Sequence, residues 1–424
     1  MKVCVYTLGC RLNQAESEAI IDSFVKEGFE AVKENADLYI VNTCTVTAKA
    51  EAKARRMIRL FLKDNVPVVV TGCYAEMNAE LIQAIDENIL VLSLIQKASL
   101  MHLAEHILAT VNQGYDIKYA INVFKAKDAS KFDYQSASGI FHSRAYLKIQ
   151  DGCDNACDFC RVHVARGKAV YLPEEEVIER AVALEAKGFN EIVLTGVNLT
   201  MYNRETGTLG TMLLKLLPHL KPSTRIRLSS LEADNIDYAL IEAIKDQRML
   251  PYFHIPIQTC SQKILTRVNR RSSMEMVSTL VKEIKKSKDD PFFACDLIAG
   301  LPSETDEDAE YTKEVIRELG FALIHVFPFS PRPNTALAKP EDAVHDQTKD
   351  DRAKELRDLS LELHKEYVDR QIGKELEVLI EMRKHGFWYG TTSNYLKVKI
   401  ISDKVLNKGG IYKGILIKDG EFEV

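Results

Sequence analysis

Three cysteines within eight positions constrain this chain more than any other feature: Cys153, Cys157 and Cys160, in the run GCDNACDFC. Thiols spaced C-x3-C-x2-C can converge on one centre if the segment is a loop. A 4Fe–4S cluster takes one ligand per iron, usually four Cys. This run supplies three, with no fourth Cys nearby, so one iron would stay open to an outside ligand. Structural zinc wants four closed ligands, and His163 could complete a Cys3His set, so zinc stands as the alternative to iron and sulfur. Buried, unligated thiols are the plainest alternative. The chain has nine Cys in 424 residues, an odd count that makes a poor disulfide framework and points to metal or redox chemistry.

A second set is dispersed. Residues 3–7 alternate as a β-run before Gly9-Cys10, residues 38–41 run into Asn42-Thr43-Cys44, and residues 66–71 run into Gly72-Cys73. Helical patterns at 15–27 and 48–62 lie between them. This βαβαβ layout predicts a small open parallel sheet, and such sheets bind ligands beyond the carboxyl ends of their strands. Cys10, Cys44 and Cys73 all fall there. One strand-end Cys is usually core; three at equivalent edges read as a second three-thiolate site. Cys4, Cys260 and Cys295 remain, and Cys260 reads as a small buried filler.

Strand and helix patterns then alternate through residues 142–330. The expected strands are 146–150, 192–195, 226–229, 253–258, 294–299 and 323–329; the expected helices are 173–187, 209–220, 237–246, 274–288 and 305–319. Six such units predict a (β/α)6 partial barrel with functional loops at the carboxyl ends of its strands. Residues 112–141 are polar and read as an irregular linker. Residues 345–371 read as one helix with Leu356, Leu359 and Leu363 on a face. From Gly373 short alternating runs with Gly-containing turns predict a small antiparallel OB-like barrel. That end carries nine Lys or Arg against seven Asp or Glu, while the chain as a whole has net charge −5. Any nucleic-acid site must therefore be a local patch. Trp388, Tyr389, Tyr395 and Tyr412 could stack on bases or serve as core. Arg55, Arg56 and Arg59 could touch phosphate, as could Arg270 and Arg271, although a solvated face is the default for such charges.

The fold class expected is thus α/β: an N-terminal parallel sheet (1–111), a linker (112–141), a central partial TIM barrel with a trailing helix (142–371) and a C-terminal barrel (372–424). Composition, 46% hydrophobic and 28% charged, excludes collagen-like, mucin-like and disordered classes. No run approaches the roughly 18 apolar residues of a membrane span, and the opening MKVCVYTLGCRLNQAES turns polar too soon for a secretory signal. A cytoplasmic location with no membrane partner is expected.

Phe159 immediately before the third clustered Cys makes the motif resemble the radical S-adenosylmethionine (SAM) superfamily. Across most of the chain, YTLGCRLNQAESE, NTCTVTAKAEAKARR, TGCYAE, KIQDGCDNACDFC, VARG, IVLTGVNL, RIRLSSLE, FHIPIQ, DLIAGLPSET and HVFPFSPRPNTALA resemble the methylthiotransferases of that superfamily. LGCRLNQAESE is most similar to the branch that modifies N6-threonylcarbamoyladenosine in tRNA. Two other branches act on isopentenyladenosine of tRNA and on an aspartate of a ribosomal protein. The family usually has I-x-P-Y where this chain has Arg161-Val162-His163-Val164, and SGS where it has Thr259-Cys260-Ser261.

The resemblance implies two 4Fe–4S clusters, on Cys10, Cys44, Cys73 and on Cys153, Cys157, Cys160, with SAM completing the second. It implies a methylthio group added to carbon-2 of the modified adenosine at position 37, beside the anticodon. It also implies SAM contacts: Phe159 near the adenine; Thr195, Gly196 and Asn198 at the methionine amine; Ser229 and Glu232 at the ribose. The implied partners are the tRNA anticodon stem-loop, bound with help from a C-terminal TRAM module of RNA-binding type, and an electron donor such as flavodoxin or ferredoxin. The sulfur donor is left open.

Overall fold

The computed structural model describes residues 1–134, 143–203 and 207–424. Five parallel strands open the chain: β1 (Lys2–Thr7), β2 (Glu30–Ala31), β3 (Leu38–Thr43), β4 (Val68–Gly72) and β5 (Leu90–Val91), in sheet order β2-β1-β3-β4-β5. β3 and β4 are buried along their whole length, as continuous apolar runs in parallel sheets should be. Helices α1 (Arg11–Lys26) and α2 (Ala48–Leu62) supply the crossovers, and the two faces of the sheet carry separate apolar cores.

The central part has two three-stranded parallel sheets. One orders Arg225–Leu228, Glu191–Thr195, Ala145–Lys148; the other orders Tyr252–His254, Phe292–Ala299, Leu323–Pro328. Parallel bridges Ile226–Met249 and Ser230–His254 join them into one open curve of six strands. The fourth strand is shorter than the expected 253–258. Pro256 has no N–H to give a ladder, and Gln258 turns to φ +76. The helix Asp346–Gln371 buries Leu356, Leu359 and Leu363 against the barrel core.

The expected irregular linker contains a helix, Ile117–Val123, capped by Asp116, whose carboxylate accepts from Tyr119 N at 2.7 Å. Its Ala120 and Ile121 seal one face of the N-terminal core, a reason to fold that the polar composition hid. Residues 135–141 of that segment lie outside the described residues.

Strands Glu375–Lys384, Phe387–Thr392, Lys397–Ile401, Ile411–Lys418 and Glu421–Glu423 close into a barrel. The first hairpin turns on His385 (φ 48) and Gly386 (φ 85), the paired positive φ of a two-residue type I′ turn. The barrel is not wholly antiparallel: Lys397–Ile401 pairs in parallel with Glu421–Glu423, which is how five strands close. Its core is continuous with Tyr252, Phe292 and Tyr367 of the central part. Among the described residues no helix is long and apolar enough to cross a membrane.

Candidate active site

Cys10 follows β1 and opens α1, Cys44 follows β3, and Cys73 follows β4. Two glycines let these strand ends crowd together. Gly9 (φ +101) lies so close that a Cβ there would sit 2.9 Å from Cys44 Cβ, and one on Gly72 (φ +96) would meet Thr43 O at 2.4 Å. Asn13 Nδ2 donates to Leu8 O (2.7 Å) and Thr43 O (3.0 Å), tying the first two loops into one unit.

Cys153, Cys157 and Cys160 occupy one loop after the first barrel strand. Gln150 Nε2 donates to Gly152 O at 2.7 Å, Cys153 N to Gly167 O at 3.0 Å, and Asp158 N to Val268 O at 3.1 Å. The loop is thus pinned at its start and middle. All six thiols line one cavity of about 300 Å³ between the N-terminal sheet and the barrel.

Two buried ionic networks hold these parts face to face. In the first, Glu16 of α1 pairs with Lys97, with Lys148 (2.7 Å) and with Arg166 (3.2 Å); Arg166 also grips Asp151 (2.9 Å) and Asn13 Oδ1 (2.8 Å). In the second, Arg161, next to Cys160, and Arg332 both pair with Glu51 of α2, which also accepts from Thr45 Oγ1 at 2.5 Å. Removing one member of such a buried network strands a charge in low dielectric, typically at about 3–5 kcal/mol.

Burial pushes the Cys44 and Cys153 thiols up to about 12 and the Cys157 thiol to about 11; it also raises Cys73 and Cys160. Arg166 pulls Cys73 back, and Arg270, with Nη1 3.8 Å from Cys157 Sγ, does the same for Cys157. Each trio is therefore a set of soft donors that needs a cation to become thiolate, with one guanidinium behind it to offset the anionic charge that ligation brings. These donor sets fit iron–sulfur clusters short of one protein ligand.

Phe159, Gly196, Asn198 and Glu232 lie on the cavity wall. Thr195 and Ser229 are buried behind it; at the second position the next residue, Ser230, faces the cavity. Three of these residues carry polar atoms with no hydrogen-bond partner among the described residues: Thr195 Oγ1, Asn198 Nδ2 and Ser229 Oγ. An unsatisfied buried group costs about 1–3 kcal/mol, so the unpaired Asn198 amide on the wall suits a polar ligand such as SAM. Glu232 is held by Arg270, whose Nη2 also donates to Pro256 O at 2.6 Å. Arg270 is thus a buried brace of the cavity and not the surface phosphate contact the sequence allowed; Arg271 stays exposed.

A further polar line, not singled out from the sequence, reaches the cavity through Ser230 and Asp296. Ser230 Oγ lies 2.9 Å from His254 Nδ1, and His254 Nε2 lies 3.0 Å from Asp296 Oδ1. Burial works against ionising Asp296, but His254 and His325 outweigh it and hold its carboxyl below the ordinary range. His254, Asp296 and His325 come within metal-ligating reach of one another. Both nitrogens of His254 are already engaged, however, so a hydrogen-bonded relay describes them better than a metal centre. The signal available was strand parity: His254 stands opposite Ala294, and Asp296, two residues on, shares that face of the adjacent strand.

On the C-terminal barrel Tyr395 is not free to stack on a base. It packs against Tyr252 (4.1 Å between ring centroids), between the guanidinium groups of Arg11 and Arg227 (5.1 and 5.0 Å), and accepts from Arg11 Nη2 at 2.8 Å. Its φ of +75 is a strained conformation for a bulky side chain. Tyr412 OH accepts from Asn407 N at 3.1 Å, and Trp388 packs partly into the barrel core. Tyr389 lines a separate concavity of about 500 Å³ with Lys384, His385, Lys397 and Lys399.

Residues 2–93 match the family described as Uncharacterized protein family UPF0004, and residues 147–316 match the Radical SAM superfamily. Over 449 aligned residues the chain is 33% identical to the threonylcarbamoyladenosine tRNA methylthiotransferase MtaB of Bacillus subtilis (strain 168), covering 100% of this chain and 98% of that protein. It is 34% identical to the protein of the same name from Rickettsia prowazekii (strain Madrid E), covering 97% and 94%. In fold it resembles the radical S-adenosylmethionine methyltransferase TsrM of Kitasatospora setae, solved with cobalamin and a 4Fe-4S cluster bound. The TM-score is 0.54 at 13% identity, over 79% of this chain and 76% of that one, a likeness of fold alone.

Proposed function

The chain belongs to the MtaB family of threonylcarbamoyladenosine tRNA methylthiotransferases, and we propose that the cavity between its two cysteine trios is where a methylthio group is added to carbon-2 of that nucleoside at position 37 of tRNA. The observation that carries this reading is the meeting of six thiols from two separate folds on one cavity wall. As a member of the Radical SAM superfamily the chain uses a 4Fe–4S cluster and SAM. When bound, they supply an electron and a carbon-centred radical, chemistry suited to a C–H bond that is neither acidic nor open to direct attack.

Cys153, Cys157 and Cys160 would hold that cluster, and Cys10, Cys44 and Cys73 a second one. Phe159, Gly196, Asn198 and Glu232 would contact SAM from the wall, with Thr195 and Ser229 acting from just behind it. Burial raises the Glu232 carboxyl, and Arg270 opposes that shift while holding the side chain in place. Phe159, Ile298 and Phe329 give the cavity an apolar side that excludes water.

Residues 1–111 would then form the second-cluster domain and 142–371 the radical SAM core. Residues 372–424 would form a TRAM module binding the anticodon stem-loop. The cationic concavity around Tyr389 supports that role. A loop base can splay from its stack into the cavity for a few kcal/mol, which a paired base could not do so cheaply. The enzyme would work in the cytoplasm, reduced by a donor such as flavodoxin or ferredoxin.

Nucleoside mass spectrometry of tRNA from cells lacking the protein tests the reading. Loss of methylthio-threonylcarbamoyladenosine is expected; loss of the methylthio-isopentenyl nucleoside instead would overturn the substrate. In the purified protein, Cys44→Ala should abolish methylthiolation while the central trio keeps its cluster spectrum, and Cys157→Ala should abolish SAM cleavage.

A further inference from the structure

Helix α2 differs in charge from the other helices of this chain. It carries five Lys or Arg (Lys49, Lys53, Arg55, Arg56, Arg59) against a single acid, Glu51, and Lys63 caps its end. Glu51 is turned inward and consumed by Arg161 and Arg332. Arg55 leans on Tyr74, donating to its hydroxyl at 3.0 Å. The remaining five cations, Lys49, Lys53, Arg56, Arg59 and Lys63, are all exposed, and among the described residues none has an ion-pair or hydrogen-bond partner. At 3.6 residues per turn they fall within about 120° of arc, opposite the buried Ala54, Ile58 and Phe61, and run for about 21 Å along the axis.

Elsewhere many helical lysines are matched, and the exposed helical cations without a partner among the described residues, Lys118, Lys282, Lys285 and Arg357, are scattered over three helices and form no comparable row. Lys245 pairs with Glu242, Lys286 with Glu283, Lys313 with Glu310 and Glu355, Lys354 with Asp358, and Lys365 with Asp369. A stripe left unmatched on a chain of net charge −5 is not the default solvated face. Its position adds to this. Thr47, whose Oγ1 caps α2 by accepting from Ala50 N at 3.1 Å, lines the six-cysteine cavity, as does the exposed Val46. The stripe therefore starts at the cavity mouth and leads away from it.

We propose that this outer face of α2 is the track on which the phosphates of the tRNA substrate lie, so that the N-terminal domain, and not only the C-terminal barrel, docks the RNA. This rests on the tRNA reading above. An RNA strand is the partner that fits, because it offers a row of fixed negative charges where each cation can engage one. An acidic reductant protein is the competing polyanion, and the experiment separates the two.

The test uses the full-length, cluster-loaded protein and tRNA bearing threonylcarbamoyladenosine. The triple variant Lys53→Gln/Arg56→Gln/Arg59→Gln should weaken tRNA binding by about 10- to 100-fold near 100 mM salt. It should also lower the slope of log Kd against log salt by about 2–3, roughly one per lost phosphate contact. Iron per chain and melting temperature should match wild type, and the charge-keeping variant Lys53→Arg/Arg56→Lys/Arg59→Lys should bind as wild type does. Wild-type affinity and slope in the triple variant would overturn the inference while leaving the functional reading intact. So would retained tRNA affinity with slowed reduction by flavodoxin, which would give the stripe to the reductant. Failure of the wild-type protein itself to bind tRNA would take down the functional reading and, with it, the track.

Discussion

Cys10, Cys44 and Cys73 come from three strand ends spread between positions 10 and 73, whereas Cys153, Cys157 and Cys160 come from one short loop. The first trio exists only when the sheet is assembled in register. Its spacing is set by strand separation and by two glycines that allow close approach. The second is largely written in local sequence and needs only its loop pinned at Gln150, Gly167 and Val268. One site is thus a property of a fold and the other of a segment. Damage to tertiary structure should strike the first trio before the second.

Arg166→Ala tests this most severely. It removes one of the two cations that Glu16 and Asp151 share, leaving Lys148 alone to bridge them, and should cost about 3 kcal/mol in unfolding experiments. Reconstituted protein should lose iron from the first trio while the central cluster spectrum persists; equal loss from both would erase the contrast. Next comes a pair of glycines. Gly72→Ala places a methyl 2.4 Å from Thr43 O at positive φ, so β4 must move away from β3 and Cys73 with it. Gly167→Ala also sits at positive φ (φ 72, ψ −159), but a methyl there meets nothing within 4 Å, so it should cost about 1–3 kcal/mol of backbone strain with no steric clash. Iron counting on the two variants should show a deficit in the first alone.

The mildest test is pH. Burial raises Glu18 of α1 to about 8, against an ordinary 4.5, with Lys408 of the C-terminal barrel pulling it down and Asp22 pushing it up. A carboxyl raised on folding contributes stability that is complete below its ordinary value and lost as pH climbs through about 8. Glu18→Gln should therefore melt a few degrees above wild type at pH 8, with the gap closing toward pH 5. A gap that widens toward pH 5 would place the titration elsewhere.

Much of this molecule was readable in its sequence. Both sheets, the closing barrel and the long helix announce themselves through apolar period and Gly-rich turns. The strand-end cysteines follow from βαβ geometry alone. The contacts that assemble the site do not. Glu16 with Arg166 and Glu51 with Arg161 are pairs more than a hundred positions apart, and each charge read singly looks solvated. Strand parity hid Ser230 behind its neighbour Ser229, because one position decides which side chain meets the cavity. Tyr395 looked like a base-stacking residue because nothing local reveals that Arg11 and Arg227 enclose it.

That enclosure bears on how the protein is made. Arg11, the neighbour of Cys10, receives its brace from Tyr395, 384 positions further along the chain. The segment around Cys10 can therefore settle only after Tyr395 has been made. Iron arriving on a nascent chain would find the middle loop ready and the leading one still unsupported, so the order of metal loading runs against the order of synthesis.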